Sequence, residues 1–354
     1  MRRNKILEDD EDDEFSNSYK TESTANDAIG SKFSAISLKY YEDSFLKLMF
    51  EAQARSFVRK PPIINRGYYV RVKAFEHIVN RFLEATSSCS RSQVISLGGG
   101  FDTLPYKLLT SDAIKSSGSR LKYFEVDFPN VVRKKAAFTL KKQVLSQLLP
   151  DLLSETGCDS DQAKQHNLRF QTAYGYDFGS YALLSGDLQD TGALSSLLRE
   201  GGVDPSLPTL LLTECVLVYM SRESTQPLLA LLADLFTEAL WLSYDMMNPS
   251  DKFGSMMLSN LSRAGHKIPG FTDYPTLQSH RQRFLEAGWP VSRACSMLRA
   301  YDDLVSEQEK QRLNSLEILD EVEEWQLIMQ HYALTLAAKG SSMLSLAEEI
   351  SDEL

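Results

Sequence analysis

Residues 93–103 read Gln93-Val94-Ile95-Ser96-Leu97-Gly98-Gly99-Gly100-Phe101-Asp102-Thr103. A short β-rich run ends in three glycines, and Leu104 to Thr110 then reads as a helix. Glycines at a strand end let the backbone turn tightly and let a ligand approach without a Cβ clash. Alone, such a turn is weak evidence; what repeats after it decides the fold. Tyr123 to Val126 is a second strand, followed by a helix across Val131 to Leu149. Tyr181 to Ser185, Thr209 to Thr213 and Leu240 to Tyr244 are further strands, with helical stretches between them, including Gln226 to Phe236. Strands alternating with helices predict an α/β fold built on a parallel, doubly wound sheet.

Working outward, the C-terminal part adds a helix from about Leu316 to His331. Leu316, Ile318, Leu319, Val322, Trp325 and Met329 recur there at helical spacing, and a last strand candidate, Tyr332 to Ala337, follows. Upstream, Tyr41, Phe45, Leu48 and Met49, then Val72, Phe75, Ile78 and Phe82, are spaced helically around Pro61 and Pro62. Two or three helices packed as an N-terminal cap over 31–90 are expected. Residues 1–30 read as a disordered acidic tail and 150–176 as a polar insertion, within one domain spanning 31–354. No internal repeat is visible.

The chain has 354 residues, 43% hydrophobic and 24% charged, as expected of a globular enzyme with a sizeable core. No apolar run approaches the ~20 residues that cross a bilayer, and Met1 to Glu14 has no apolar core of a secretory signal. Cys89, Cys158, Cys215 and Cys295 stand far apart, with no Cys/His cluster. That argues against disulfides and a zinc site and fits a cytoplasmic or nuclear setting. Net charge is −10; the first fourteen residues hold −4 of it, so the remainder holds −6. A phosphate backbone calls for a basic face, and no such bias is present, which argues against a nucleic-acid partner.

In doubly wound sheets, ligands bind beyond the C-terminal ends of the strands near the switch in strand order. The second strand ends Phe124-Glu125-Val126-Asp127-Phe128-Pro129. Asp127 suits the hydroxyls of a ribose, or it caps the helix beginning near Pro129. After the third strand, Gly186-Asp187-Leu188 offers an acceptor for an adenine amino group and an apolar cover for its ring, or a plain turn. The fourth ends Thr213-Glu214-Cys215-Val216-Leu217-Val218-Tyr219-Met220. A carboxylate ending an apolar strand needs a partner, either a cationic cofactor group or a structural Arg or Lys. A nicotinamide cofactor would want Gly or Ala at the third glycine position of its fingerprint, where Thr103 stands. The four strand ends and the strand after a C-terminal helix favour S-adenosylmethionine.

These residues also carry a resemblance. Ile64-Asn65-Arg66-Gly67-Tyr68-Tyr69-Val70-Arg71, Ser96 to Thr103, Tyr123 to Pro129 and Pro208 to Met220 resemble segments of the leucine carboxyl methyltransferases. Asp251-Lys252-Phe253-Gly254 and Ser315 to Glu321 are similar to further family segments. The likeness runs from about Lys32 to the end, leaving out the tail and the insertion. Gly99 departs from the Ala or Cys common in relatives. The resemblance implies a seven-stranded, Rossmann-like methyltransferase sheet, and an enzyme that methylates the α-carboxylate of the C-terminal leucine of the protein phosphatase 2A catalytic subunit and related phosphatases, regulating their assembly. It implies cofactor contacts at Lys32, Arg71, Gly98, Asp127, Asp187, Leu188 and Glu214, and substrate contacts at Arg71 and Tyr219. A monomer is expected.

The chemistry demands little. An α-carboxyl with a pKa of ~3.5 is already ionised at neutral pH and needs no general base. An in-line approach in a site with little water supplies most of the acceleration. Arg71 is expected to hold one carboxylate oxygen and Tyr219 the other. Three rivals remain: a methyltransferase of the tricyclic wybutosine base of transfer RNA, in which a large repeat domain follows this one; a silent binding module of the same fold; and a small-molecule carboxyl methyltransferase.

Overall fold

A computed structural model describes residues 28–112, 114, 120–148 and 170–354. Its centre is a sheet in the order β3-β4-β5-β2-β1-β6-β7-β9-β8. Five strands run parallel: β1 (Arg91–Leu97), β2 (Arg120–Asp127), β5 (Tyr181–Ser185), β6 (Thr209–Glu214) and β7 (Ala239–Met246). β9 (Tyr332–Lys339) lies antiparallel beside β7, and β8 (Val291–Ser296) closes that edge antiparallel to β9. At the other edge, β3 (Gln171–Thr172) and β4 (Gly175–Asp177) form a short antiparallel pair on β5.

The central strands are nearly all apolar because helices cover both faces of the sheet; all eight residues of β7 are buried. Successive side chains alternate between two cores. Val94, Leu210 and Leu240 face a core shared with Tyr69, Ile78 and Phe82 of the helix Pro62–Ala85. Ile95, Leu211 and Trp241 face the opposite core, with Leu228, Leu232 and Trp289. β2 lies on one side of β1 and β6 on the other, so the strand order reverses beside the glycine turn, where such folds open a crevice.

Several expectations need correction. Among the described residues the sheet has nine strands, not seven. Two of the extra pieces come from the end of the segment read as a polar insertion: residues 171–172 and 175–177 join the sheet, and 150–169 lie outside the described residues. The tail read over 1–30 ends earlier, since 28–37 form a helix with Ile29 buried; residues 1–27 lie outside the described residues. The helix expected from Val131 to Leu149 is two, Pro129–Thr139 and Lys142–Leu148.

The helix expected from Leu316 to His331 is also broken. One helix, Glu307–Leu316, ends at extended Glu317, and another spans Val322–Met329. The buried Glu317 carboxylate accepts from Tyr40 Oη at 3.0 Å and Asn65 Nδ2 at 2.9 Å, and it pairs with Arg59. Those anchors fix the backbone against the apolar spacing, and Ile318 is left 77% exposed. A last helix, Ser341–Glu353, was not anticipated; it packs Met343, Leu346 and Ile350 into the first core.

Candidate active site

β1 ends at Leu97, and the turn after it needs glycine at two positions. Gly98 has φ +68° and Gly100 φ +55°, left-handed values that L side chains adopt at a cost. A Cβ on Gly98 would also come within 2.9 Å of Val216 Cγ2. Asp127, at the end of neighbouring β2, fastens the turn: its carboxylate accepts from Gly100 N and Phe128 N, each at 2.7 Å. The capping alternative fails, because Phe128 is the N-cap and no side chain caps that helix. Burial raises the Asp127 pKa above the usual carboxylate value, and the two amides oppose that rise. Asp187 follows β5 and accepts from Gln189 N at 2.9 Å in a tight turn, and Leu188 beside it is buried.

Glu214 ends β6 and meets cations from two other elements. Arg71, on the helix Pro62–Ala85, donates its Nε–H to Glu214 Oε1. Lys32 Nζ, on the helix over 28–37, lies 3.6 Å from the same oxygen and 3.1 Å from Asp102 Oδ1. All four side chains are at most 20% exposed. Burial alone would lower the Lys32 pKa, but Asp102 and Glu214 outweigh it and raise it. For Asp102 burial pushes the pKa up, and Lys32 pulls it below the usual carboxylate range. The structural-cation reading of Glu214 therefore holds in the chain alone, and Arg71 is no surface charge. Its guanidinium lies 4.6 Å from the centre of the Tyr244 ring and 5.4 Å from that of Tyr68.

Beyond Glu214 the backbone turns sharply. Cys215 takes φ +57°, strained for a residue with a Cβ, and is held by donation of its N–H to Tyr244 O at 2.7 Å. Burial lifts its thiol to about 12, so it is not a nucleophile at neutral pH. The turn Leu217–Tyr219 follows. Val218 N donates to Asp245 Oδ1 at 3.2 Å, and Asp245 is fixed by Arg283 Nη2 at 2.9 Å and Ser243 Oγ at 2.8 Å. Asp245 thus holds the turn that carries Tyr219. Reading the end of the fifth strand as the other four were read would have found it.

Lys32, Arg71, Gly98, Asp127, Asp187, Leu188, Glu214 and Tyr219 all line one cavity of about 770 Å³. The structure therefore brings together every residue singled out in the sequence. Asp102, Tyr68, Met246 and Tyr332 line it too, although sequence reasoning did not select them. Among the described residues, no group of three or more His, Cys, Asp or Glu could hold a metal ion.

The cavity suits a molecule with a nucleoside at one end and a zwitterionic amino acid at the other. Acceptors stand at the ends of β2 and β5, and the glycine turn admits close approach. The buried Tyr41 hydroxyl has no hydrogen-bond partner among the described residues and lines a small adjoining space with Lys32, Asp102 and Glu214. Such a space takes a water or a ligand group.

Residues 16–233 match the family described as Leucine carboxyl methyltransferase. Leucine carboxyl methyltransferase 1 of Bos taurus is 36% identical over 92% of this chain and 91% of its own length. The Arabidopsis thaliana homologue is 34% identical over 92% of this chain and 91% of its own length. The tRNA wybutosine-synthesizing protein 4 of Homo sapiens is 34% identical over 91% of this chain, which spans 44% of that longer protein.

Proposed function

The chain belongs to the leucine carboxyl methyltransferase family and is an S-adenosylmethionine-dependent methyltransferase, and from that premise we propose that its acceptor is the α-carboxylate of the C-terminal leucine of a protein phosphatase 2A catalytic subunit. The product is a methyl ester. The observation that carries the reading is Arg71: a half-buried guanidinium lining the cavity, hydrogen-bonded through Nε, whose two terminal amino groups have no hydrogen-bond partner among the described residues. Those two groups suit a carboxylate.

In this account Asp127 holds the ribose, Asp187 and Leu188 the adenine, and Lys32 with Glu214 the amino-acid end of the cofactor, over the turn at Gly98. S-adenosylmethionine, when bound, supplies a methyl group on a positively charged sulfur. Lys32, Arg71, Asp102 and Glu214 sum to no formal charge. An anionic acceptor and a cationic donor then react to two neutral products, and a site that excludes water favours that loss of charge. Arg71 shares its charge with Glu214, so it orients the carboxylate without quenching its nucleophilicity. Tyr219 offers a hydroxyl to the second oxygen. No residue has to remove a proton, because the acceptor is already ionised.

The human relative named for transfer RNA supports a second reading, in which the acceptor is a carboxyl on a modified base. The net charge of −10 weighs against it. Incubating the chain with methyl-labelled S-adenosylmethionine and either acceptor separates the two. Alkali-labile label on the phosphatase supports the proposal; label on transfer RNA alone overturns it.

A further inference from the structure

The cavity contains two charges that the account above does not use. Asp102, Asp127, Asp187 and Glu214 line it, all at or just beyond the ends of four adjacent strands. Asp102 and Glu214 are paired with Lys32 and Arg71, and Asp127 is held by backbone amides. Lys60 and Lys267 line the same cavity, but neither forms an ion pair among the described residues. Each adjoins, in sequence, an element that carries or packs on a residue expected to meet the acceptor. Lys60 directly precedes the helix that carries Tyr68 and Arg71, and its backbone is fixed by donation to Ser34 Oγ at 2.8 Å. Lys267 adjoins Ile268, which clusters with Val218, Met246 and Phe271 against Tyr219, Leu261 and Tyr332. His266 lines the cavity beside it.

Two ammonium groups at one cavity, with no ion pair among the described residues, are conspicuous in a chain of net charge −10. They are not among the contacts expected for the methyl donor, which lie at the strand ends and at Lys32 and Arg71, nor for the terminal carboxylate, which Arg71 and Tyr219 receive. We infer that Lys60 and Lys267 select substrates with an acidic side chain in the segment just ahead of the terminal carboxylate. This inference rests on the proposed C-terminal carboxylate acceptor. Attraction between partly exposed charges guides and registers a chain entering the cavity more than it tightens it, so the effect falls on KM and fades with salt.

The test uses the full chain and a phosphatase catalytic subunit ending in leucine. Its upstream tail residues are replaced in turn by aspartate or by the isosteric asparagine, and the ratio of kcat/KM for each pair is measured. The wild-type enzyme should favour aspartate about two- to fivefold at one or more positions, through KM, and lose the preference as salt rises. In the Lys60→Ala/Lys267→Ala variant the ratio should fall to unity. A variant that merely loosened the fold would slow both tails alike and leave the ratio standing. Equal rates for aspartate and asparagine with wild type, or a ratio that survives the double substitution, would overturn the inference. If the unaltered subunit takes no label, the acceptor proposal itself fails.

Discussion

The carboxylate of Asp127 accepts the amide of Gly100 at 2.7 Å, so the end of β2 closes the glycine turn at the end of β1. The residue expected to meet a ribose therefore also shapes the turn on which the proposed reading lays the cofactor. Asp127→Asn keeps the shape but places an amide group where one of two backbone donors was accepted. Hydrogen bonds to a charged group contribute about 1.5–3 kcal/mol, so binding should weaken by about 10- to 100-fold. Calorimetric titration with S-adenosylhomocysteine measures this. Unchanged affinity would remove Asp127 from the site.

Asp245 and Arg283 form a buried pair, each side chain 1% exposed, and Asp245 also accepts the Val218 amide in the Tyr219 turn. Asp245→Ala strands a buried guanidinium and frees that turn. A loss of about 3–5 kcal/mol in unfolding free energy is expected from denaturant titration. Replacing both partners with apolar residues of similar volume should recover much of the stability without restoring the rate. Recovery of both would limit Asp245 to a purely structural part.

His280 is 1% exposed, and its Nε2 lies 3.2 Å from Met246 O. Burial, followed by the nearby Arg283 charge, holds its pKa well below 6.5. The folded value lies below the unfolded one, so between the two the unfolded chain binds the extra proton. Stability is fully present above the unfolded value near 6.5 and falls as pH drops through that interval, by up to about 1.4 kcal/mol per pH unit. Denaturant midpoints at pH 7.5 and 5.5 should diverge more for wild type than for His280→Gln. Equal divergence would show that other groups carry the effect.

Gly98→Ala adds a Cβ to a residue at φ +68° and drives it against Val216 Cγ2 at 2.9 Å. Backbone strain of this kind costs about 1–3 kcal/mol. Thermal unfolding should show that loss, and the variant should bind S-adenosylhomocysteine more weakly. Wild-type stability with wild-type binding would contradict the turn geometry.

The parts of this fold legible in sequence are those where one signal dominates. The five parallel strands are short apolar runs between helices, and their ends carry the residues that converge on the cavity. Arg71 was legible only through its resemblance to a family, since its spacing is equally that of a helix surface. Its enclosure depends on Tyr68, one helical turn earlier, and on Tyr244 and Glu214, which lie close in space but far away in sequence. The break at Glu317 was hidden for the same reason: Tyr40, Arg59 and Asn65 set it from more than 250 positions away. The pair β3–β4 is too short to leave a period, and β8 mixes buried and exposed residues without regular alternation.

In the proposed reaction Arg71 presents a terminal carboxylate to the methyl donor. The most direct test is mass spectrometry of the C-terminal peptide of a phosphatase 2A catalytic subunit after incubation with S-adenosylmethionine and either wild-type chain or Arg71→Ala. One added methyl is expected on the terminal leucine carboxylate with wild type, none on a subunit lacking that leucine, and a rate reduced about 100-fold or more for Arg71→Ala, as for loss of a preorganised donor. A methyl group placed elsewhere on the subunit, or Arg71→Ala working at the wild-type rate, would contradict it.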